Sequence, residues 1–157
     1  MVAARSARRP GPLPGVAALE CTVAGPTLKA HADLQVALCG APMPVWVNGQ
    51  PVSANEAMNR AWTLQAGSTL KLGTAPLAEG GARTYLAVQG GLDVPLYLGS
   101  ASTFTLGQFG GHAGRTLRTG DLLHVHGAAN TAPLLAAVLT RLPVVWHLHE
   151  TVAAQRR

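Results

Sequence analysis

The chain has 157 residues, of which 48% are hydrophobic, 4% aromatic and 12% charged, with a formal net charge of +5. So large an apolar share with so few charges excludes an intrinsically disordered chain, and the length suffices for one buried core. No run of about 18 apolar residues is present to span a bilayer, and neither a collagen repeat nor a sustained heptad occurs.

Residues 1–15 carry Arg5, Arg8 and Arg9 followed by Pro10, Gly11, Pro12 and Pro14. Proline and glycine at this density sustain neither helix nor ladder, which predicts a disordered or divergent lead. No apolar stretch follows the arginines as in a secretory signal, so a cytoplasmic location is expected. With Arg141, Arg156 and Arg157, these arginines supply the net charge, because six basic residues face six acidic ones between residues 10 and 140. A groove that follows phosphates needs clustered Lys and Arg with aromatic stacking partners, so no nucleic-acid partner is expected, and no membrane.

From residue 16 to 127 short apolar runs alternate with Gly, Pro and Asn: 19–23, 34–38, 45–47, 62–64, 69–72, 84–88 and 122–125. This rhythm predicts a mainly β domain, a barrel or sandwich, with Leu19, Val36, Leu38, Val47, Leu64, Leu70, Leu72, Leu86, Val88, Leu122 and Val125 inside. Asn48-Gly49 predicts a tight hairpin turn. Residues 63–70 and 116–123 both read T-L-x-x-G-x-x-L, which predicts a turn feeding a strand at each place. Cys21 and Cys39 lie in apolar runs without metal-finger spacing, so buried free thiols are expected.

One helix is predicted, from Ala132 to Leu142, where Leu134, Leu135, Val138 and Leu142 recur at helical spacing, Pro133 suits the first turn and Pro143 ends it. Beyond it the tail to Arg157 returns to a short apolar run and then charge, a weak basis for a packed ending. The organisation expected is thus a lead (1–15), a β domain (16–127), and a helix with a divergent tail (128–157). His124-Val125-His126 and His147-Leu148-His149 each place two imidazoles on one strand face at i, i+2. Neither pair has an assignable third ligand, so no metal site is expected.

The densest chemistry lies in residues 89–115, which hold seven glycines beside Ser100, Ser102, Thr103, Gln108, His112 and Arg115. Glycine lets backbone approach a ligand and present N–H groups, and it equally permits corners and bulges of a β fold. No G-x-x-x-x-G-K-[ST] or strand-bound G-x-G-x-x-G occurs, which excludes a phosphate loop of those types.

The run Tyr85-Leu86-Ala87-Val88-Gln89-Gly90-Gly91-Leu92-Asp93-Val94-Pro95, with Leu98-Gly99-Ser100 and Thr103-Phe104-Thr105-Leu106-Gly107-Gln108-Phe109-Gly110-Gly111-His112-Ala113-Gly114-Arg115, closely resembles the biotin-dependent carboxyltransferase family. The likeness is strongest to its urea carboxylase (urea amidolyase) branch, and extends to allophanate hydrolase subunit 2 and to the C subunit of 5-oxoprolinase. Leu19-Glu20, Gly25-Pro26-Thr27-Leu28, Gly67-Ser68-Thr69-Leu70-Lys71-Leu72-Gly73 and Gly120-Asp121-Leu122-Leu123 add to it, over about residues 19–126.

The resemblance implies a cyclophilin-like β-barrel, here incomplete, and transfer of carboxyl from carboxybiotin to urea, giving allophanate. It also implies a biotin carrier, an ATP-using biotin carboxylase and the remaining half of the carboxyltransferase as partners. His112 and Arg115 then become the expected catalytic pair, and Ser100, Gln108, Gly110 and Gly111 the substrate-binding groups. The family's Q-D-x-G-R and G-P-H segments have no counterpart here, and Pro42 stands where relatives have an acidic residue. An internal piece with little activity of its own is therefore expected, prone to self-association through exposed apolar surface. A noncatalytic binding module of the family, or an inactive remnant, is the alternative, and 5-oxoproline is an alternative substrate.

Overall fold

The computed structural model describes residues 17–76 and 81–126 in full, and residues 134–136 and 146–150 as backbone strands. The described chain is mainly β, as the rhythm of its short apolar runs predicts. The first sheet contains β1 (Ala17–Thr22), β3 (Leu34–Gly40), β6 (Ala61–Leu64), β8 (Arg83–Val88) and β12 (Trp146–Glu150) in the order β12-β1-β8-β3-β6. The second contains β2 (Thr27–Lys29), β4 (Val45–Val47), β5 (Gln50–Val52), β7 (Thr69–Leu72), β9 (Leu92–Asp93), β10 (Asp121–Val125) and β11 (Leu134–Ala136) in the order β5-β4-β7-β2-β11-β10-β9. Every named strand pairing is antiparallel. Among the described residues the sheets do not close on one another into a barrel.

Alternation decides which side chains meet between the sheets. Leu19 and Cys21 of β1, Val36 and Leu38 of β3, and Leu86 and Val88 of β8 point inward, as do Leu28, Leu70 and Leu72 from the second sheet, and together they form one core. Of the expected core, Val47 is half-buried and Leu122 is exposed. The reason is parity: Leu123 and Val125 of β10 face inward, so Leu122 and His124 must face out. Cys21 is buried and Cys39 half-buried, both as free thiols.

Asn48-Gly49 joins β4 to β5 with Val47 opposite Gln50, the predicted hairpin. Pro51, which has no N–H to give a ladder, lies in β5 at the end of the sheet order, where an unpaired side is tolerated. Both predicted T-L-x-x-G-x-x-L turns are present and alike: Ser68 N–H donates to the Gln65 carbonyl at 3.0 Å, and Asp121 N–H to the Arg118 carbonyl at 3.1 Å. β7 and β10 follow them.

The helix expected from Ala132 to Leu142 is corrected at its centre. Leu134–Ala136 is strand β11, which pairs with β10 and with β2, and the rest of that segment lies outside the described residues. Spaced leucines read equally as a helix stripe or a buried strand, and here the gap between β10 and β2 takes them as a strand. The tail is corrected likewise, since Trp146–Glu150 pairs with β1 as β12. The helix among the described residues is instead the single turn α1 (Ala54–Ala57), where Glu56 accepts from the Ser53 hydroxyl at 2.8 Å. No helix among the described residues is long and apolar enough to cross a membrane.

Candidate functional site

Between β9 and β10 the chain makes a long connection, residues 94–120, that carries all the predicted site residues. No Asp, Glu, Lys or Arg occurs from Val94 to Gly114. Its first turn is closed by paired bonds between Tyr97 and Ser100, at 2.9 and 3.0 Å. Its second is closed between Phe104 and Phe109, at 2.9 and 3.3 Å. The Phe109 ring lies 4.6 Å from Tyr97 and 5.1 Å from Phe104, centroid to centroid, so the two turns share an aromatic cluster. Around it Leu96, Leu98 and Leu106 are exposed, the last two at 91% and 89%.

The glycines that follow are explained by close backbone packing. A Cβ on Gly110 would stand 2.3 Å from the Ser102 carbonyl oxygen, and one on Gly111 2.0 Å from the Thr103 hydroxyl. Residues 110–111 therefore lie directly on the segment holding the buried Ala101 and Thr103. Gly111 is itself buried, whereas Gly110 is half-buried.

The loop then meets β10 at Asp121. Arg115 gives this carboxylate both ends of its guanidinium, Nη1 to Oδ2 and Nη2 to Oδ1, each at 2.7 Å, and Nη1 also donates to the Thr116 carbonyl at 2.8 Å. The Arg118 backbone N–H donates to Oδ2 at 2.7 Å, and His112 Nε2 lies 3.4 Å from the same oxygen. The hydrogen bonds from Arg115, working against desolvation, hold the Asp121 carboxyl down at about 2, and the same bonds hold the Arg115 guanidinium up.

Because the folded-state value lies below the ordinary 3.8, this stabilisation is complete above about pH 4 and is lost as pH falls towards 2. Denaturant midpoints measured at pH 5, 3 and 2 should thus fall more steeply for the native chain than for Asp121→Asn. Parallel pH profiles would show that Asp121 does not carry this linkage.

Of the predicted site residues, the structure brings His112 and Arg115 together on Asp121. Ser100 sits in the first turn, its hydroxyl accepting the Ser102 N–H at 3.1 Å, and Gln108 is exposed on the second. No hydrogen bond or ion pair among the described residues joins either to the Asp121 cluster. Sequence reasoning assigned Asp121 no role. The signal available was an aspartate closing a turn immediately before an apolar strand, six residues after Arg115.

His124 of β10 and His126 just beyond it are both exposed, with His126 Nε2 3.3 Å from Asp93 Oδ1. No group of three potential metal ligands occurs among the described residues, and the side chains of His147 and His149 lie outside them.

Two antiparallel sheets with a glycine-rich loop, free of Asp, Glu, Lys and Arg over residues 94–114 and pinned to a strand by an Arg–Asp pair, match a known domain. The family model described as "Carboxyltransferase domain, subdomain A and B" matches residues 6–155, and the chain belongs to this family. Among curated proteins it is 40% identical over 106 residues to the urea amidolyase of Saccharomyces cerevisiae, covering 68% of this chain and 5% of that one. It is 36% identical over 110 residues to the C subunit of Haemophilus influenzae 5-oxoprolinase, covering 69% and 33%. Among solved structures, the urea carboxylase of Kluyveromyces lactis matches with a TM-score of 0.64 and 34% identity, covering 77% of this chain and 10% of that one. The chain thus spans a small part of the amidolyase and about a third of the oxoprolinase polypeptide.

Proposed function

We propose that this chain supplies part of the carboxyltransferase site of a biotin-dependent urea carboxylase, in which urea is carboxylated to allophanate. The observation that carries the reading is the 94–120 loop: it holds the longest run of family motif, and His112 and Arg115 converge on one carboxylate at its base. Biotin, carried on another domain, supplies the carboxyl group from its ureido nitrogen. The residues present suit such a group, because the exposed Tyr97, Phe104 and Phe109 rings offer an apolar face to the thioether ring of biotin, while its ureido and carboxylate oxygens need the N–H donors that a glycine-rich loop supplies.

In this reading Gly110 N–H and the Gln108 and Ser100 side chains orient the transferred carboxylate and urea, with Gly111 holding the loop against Thr103. His112 would take the proton that a urea nitrogen must lose as its new C–N bond forms; biotin would supply the carboxyl group, and its freed ureido nitrogen would be the acceptor to which His112 gives that proton. Partners are the remaining carboxyltransferase polypeptide, the carrier and an ATP-using biotin carboxylase. The similarity to the C subunit of 5-oxoprolinase favours a second reading, with 5-oxoproline as the amide substrate.

Two assays test the proposal. The purified chain with ATP, bicarbonate and urea should form no allophanate, and turnover would contradict its dependence on a carrier. A Saccharomyces cerevisiae urea amidolyase whose matching segment is replaced by this chain's residues should hydrolyse ATP in a urea-dependent way. A soluble exchanged enzyme that keeps biotin-dependent ATP hydrolysis but responds to neither urea nor 5-oxoproline would refute the reading.

A further inference from the structure

We infer that Asp121 is the positioning residue of this site: it stands behind the His112 ring and occupies the Arg115 fork, so that His112 works through Nδ1 and Arg115 braces the loop instead of gripping substrate. The inference rests on the proposed proton-handling role of His112, and it assigns the atoms of that role.

Three features of the geometry carry it. Asp121 is the first residue of β10, tied to the Arg118 carbonyl through its own N–H and set opposite Ala136 of β11, so its carboxylate is fixed by the sheet. The glycine-rich loop has no strand of its own over residues 94–120; Ala101 and Leu117 sink into the core, and this carboxylate ties the loop's polar end to β10. Finally, one oxygen, Oδ2, collects Arg115 Nη1, the Arg118 N–H and the contact from His112 Nε2.

The consequences follow from the chemistry of each group. A substrate carboxylate that took the end-on edge of Arg115 would have to displace Asp121, whose side chain is only 13% exposed, and leave that anion without its cation. Holding substrate carboxylate therefore falls to the backbone N–H groups and neutral side chains of the loop. With Nε2 turned to Asp121, the ring nitrogen left for a reacting proton is Nδ1. Among the described residues, the charged groups paired at His112 are Asp121 and, through it, Arg115.

The test uses the full chain labelled with ¹⁵N-histidine, with His112 assigned by its loss in His112→Gln. In the native chain at neutral pH, His112 should carry its proton on Nε2, and Asp121→Asn should move both ring nitrogens towards the averaged shifts of a free imidazole. Arg115→Gln removes the brace but keeps the carboxylate, so it should preserve the native pattern even if Asp121→Asn folds poorly. Loss of the pattern in folded Arg115→Gln, or its persistence in folded Asp121→Asn, would overturn the inference.

In the exchanged amidolyase, Asp121→Asn should lower kcat about 10- to 100-fold with KM changed less than about twofold, and should add nothing to His112→Gln. Losses that multiply would count against it. If the ring nitrogens respond to Asp121→Asn while His112→Gln leaves turnover intact, the positioning stands and the proton-handling role fails.

Discussion

Alanine at position 90 should lower the stability of the chain by about 2–4 kcal/mol, a fall in Tm on the order of 10 °C for a chain of this size. Gly90 has a φ of +92°, and a Cβ there would stand 1.7 Å from the His126 carbonyl oxygen and 2.8 Å from its carbon. The obstacle is backbone at the end of β10, which cannot rotate away as a side chain can. His126 is held there by its own N–H, which donates to the Gly91 carbonyl at 2.9 Å. Gly67 is the control: its φ is +82°, but a Cβ would meet nothing within 4 Å. Alanine there should cost only the conformational penalty, about 1 kcal/mol. Equal melting shifts for the two variants would mean that the β9–β10 junction is not packed as described.

The largest effect on activity is expected from His112→Gln in the exchanged amidolyase, a loss of about 10²- to 10⁴-fold in kcat, the usual worth of a positioned acid–base group. Glutamine keeps a polar side chain of similar reach but cannot carry a proton. His112 is half-buried at the rim of the Asp121 cluster, so the change opens no cavity and should leave the melting temperature within a few degrees. A folded variant with turnover within about threefold of its parent would remove His112 from the chemistry.

The parts of this molecule legible in its sequence are those governed by local rules. The runs at 34–38, 45–47, 69–72 and 84–88 are strands because their alternation and turn residues agree, and the predicted Asn48-Gly49 hairpin is formed. What escaped depends on partners distant in the chain. β2 is three residues long and is a strand because β7 and β11 flank it. β11 carries leucines whose spacing suits a helix, yet it fills the place between β10 and β2. Leu122 and Leu123 cannot be told apart by composition, and only the pleat of β10 sends one out and the other in.

Motif resemblance singled out His112 and Arg115 as candidates. Their convergence on Asp121 was not readable, because it arises when the loop of residues 94–120 folds back on the strand that follows it. The glycine density had two readings, ligand approach and backbone packing, and at Gly110 and Gly111 the packing is explicit.

The most direct measurement follows the carboxyl carbon itself. The exchanged amidolyase is charged with ¹⁴C-bicarbonate and ATP, freed of both, and mixed with urea, and the fate of the label is read by separating allophanate from bicarbonate. Label should pass from protein to allophanate only when urea is present, and His112→Gln should slow this passage. Label that leaves as bicarbonate at the same rate with and without urea, from an enzyme that charges normally, would contradict a carboxyl-transfer role for this segment.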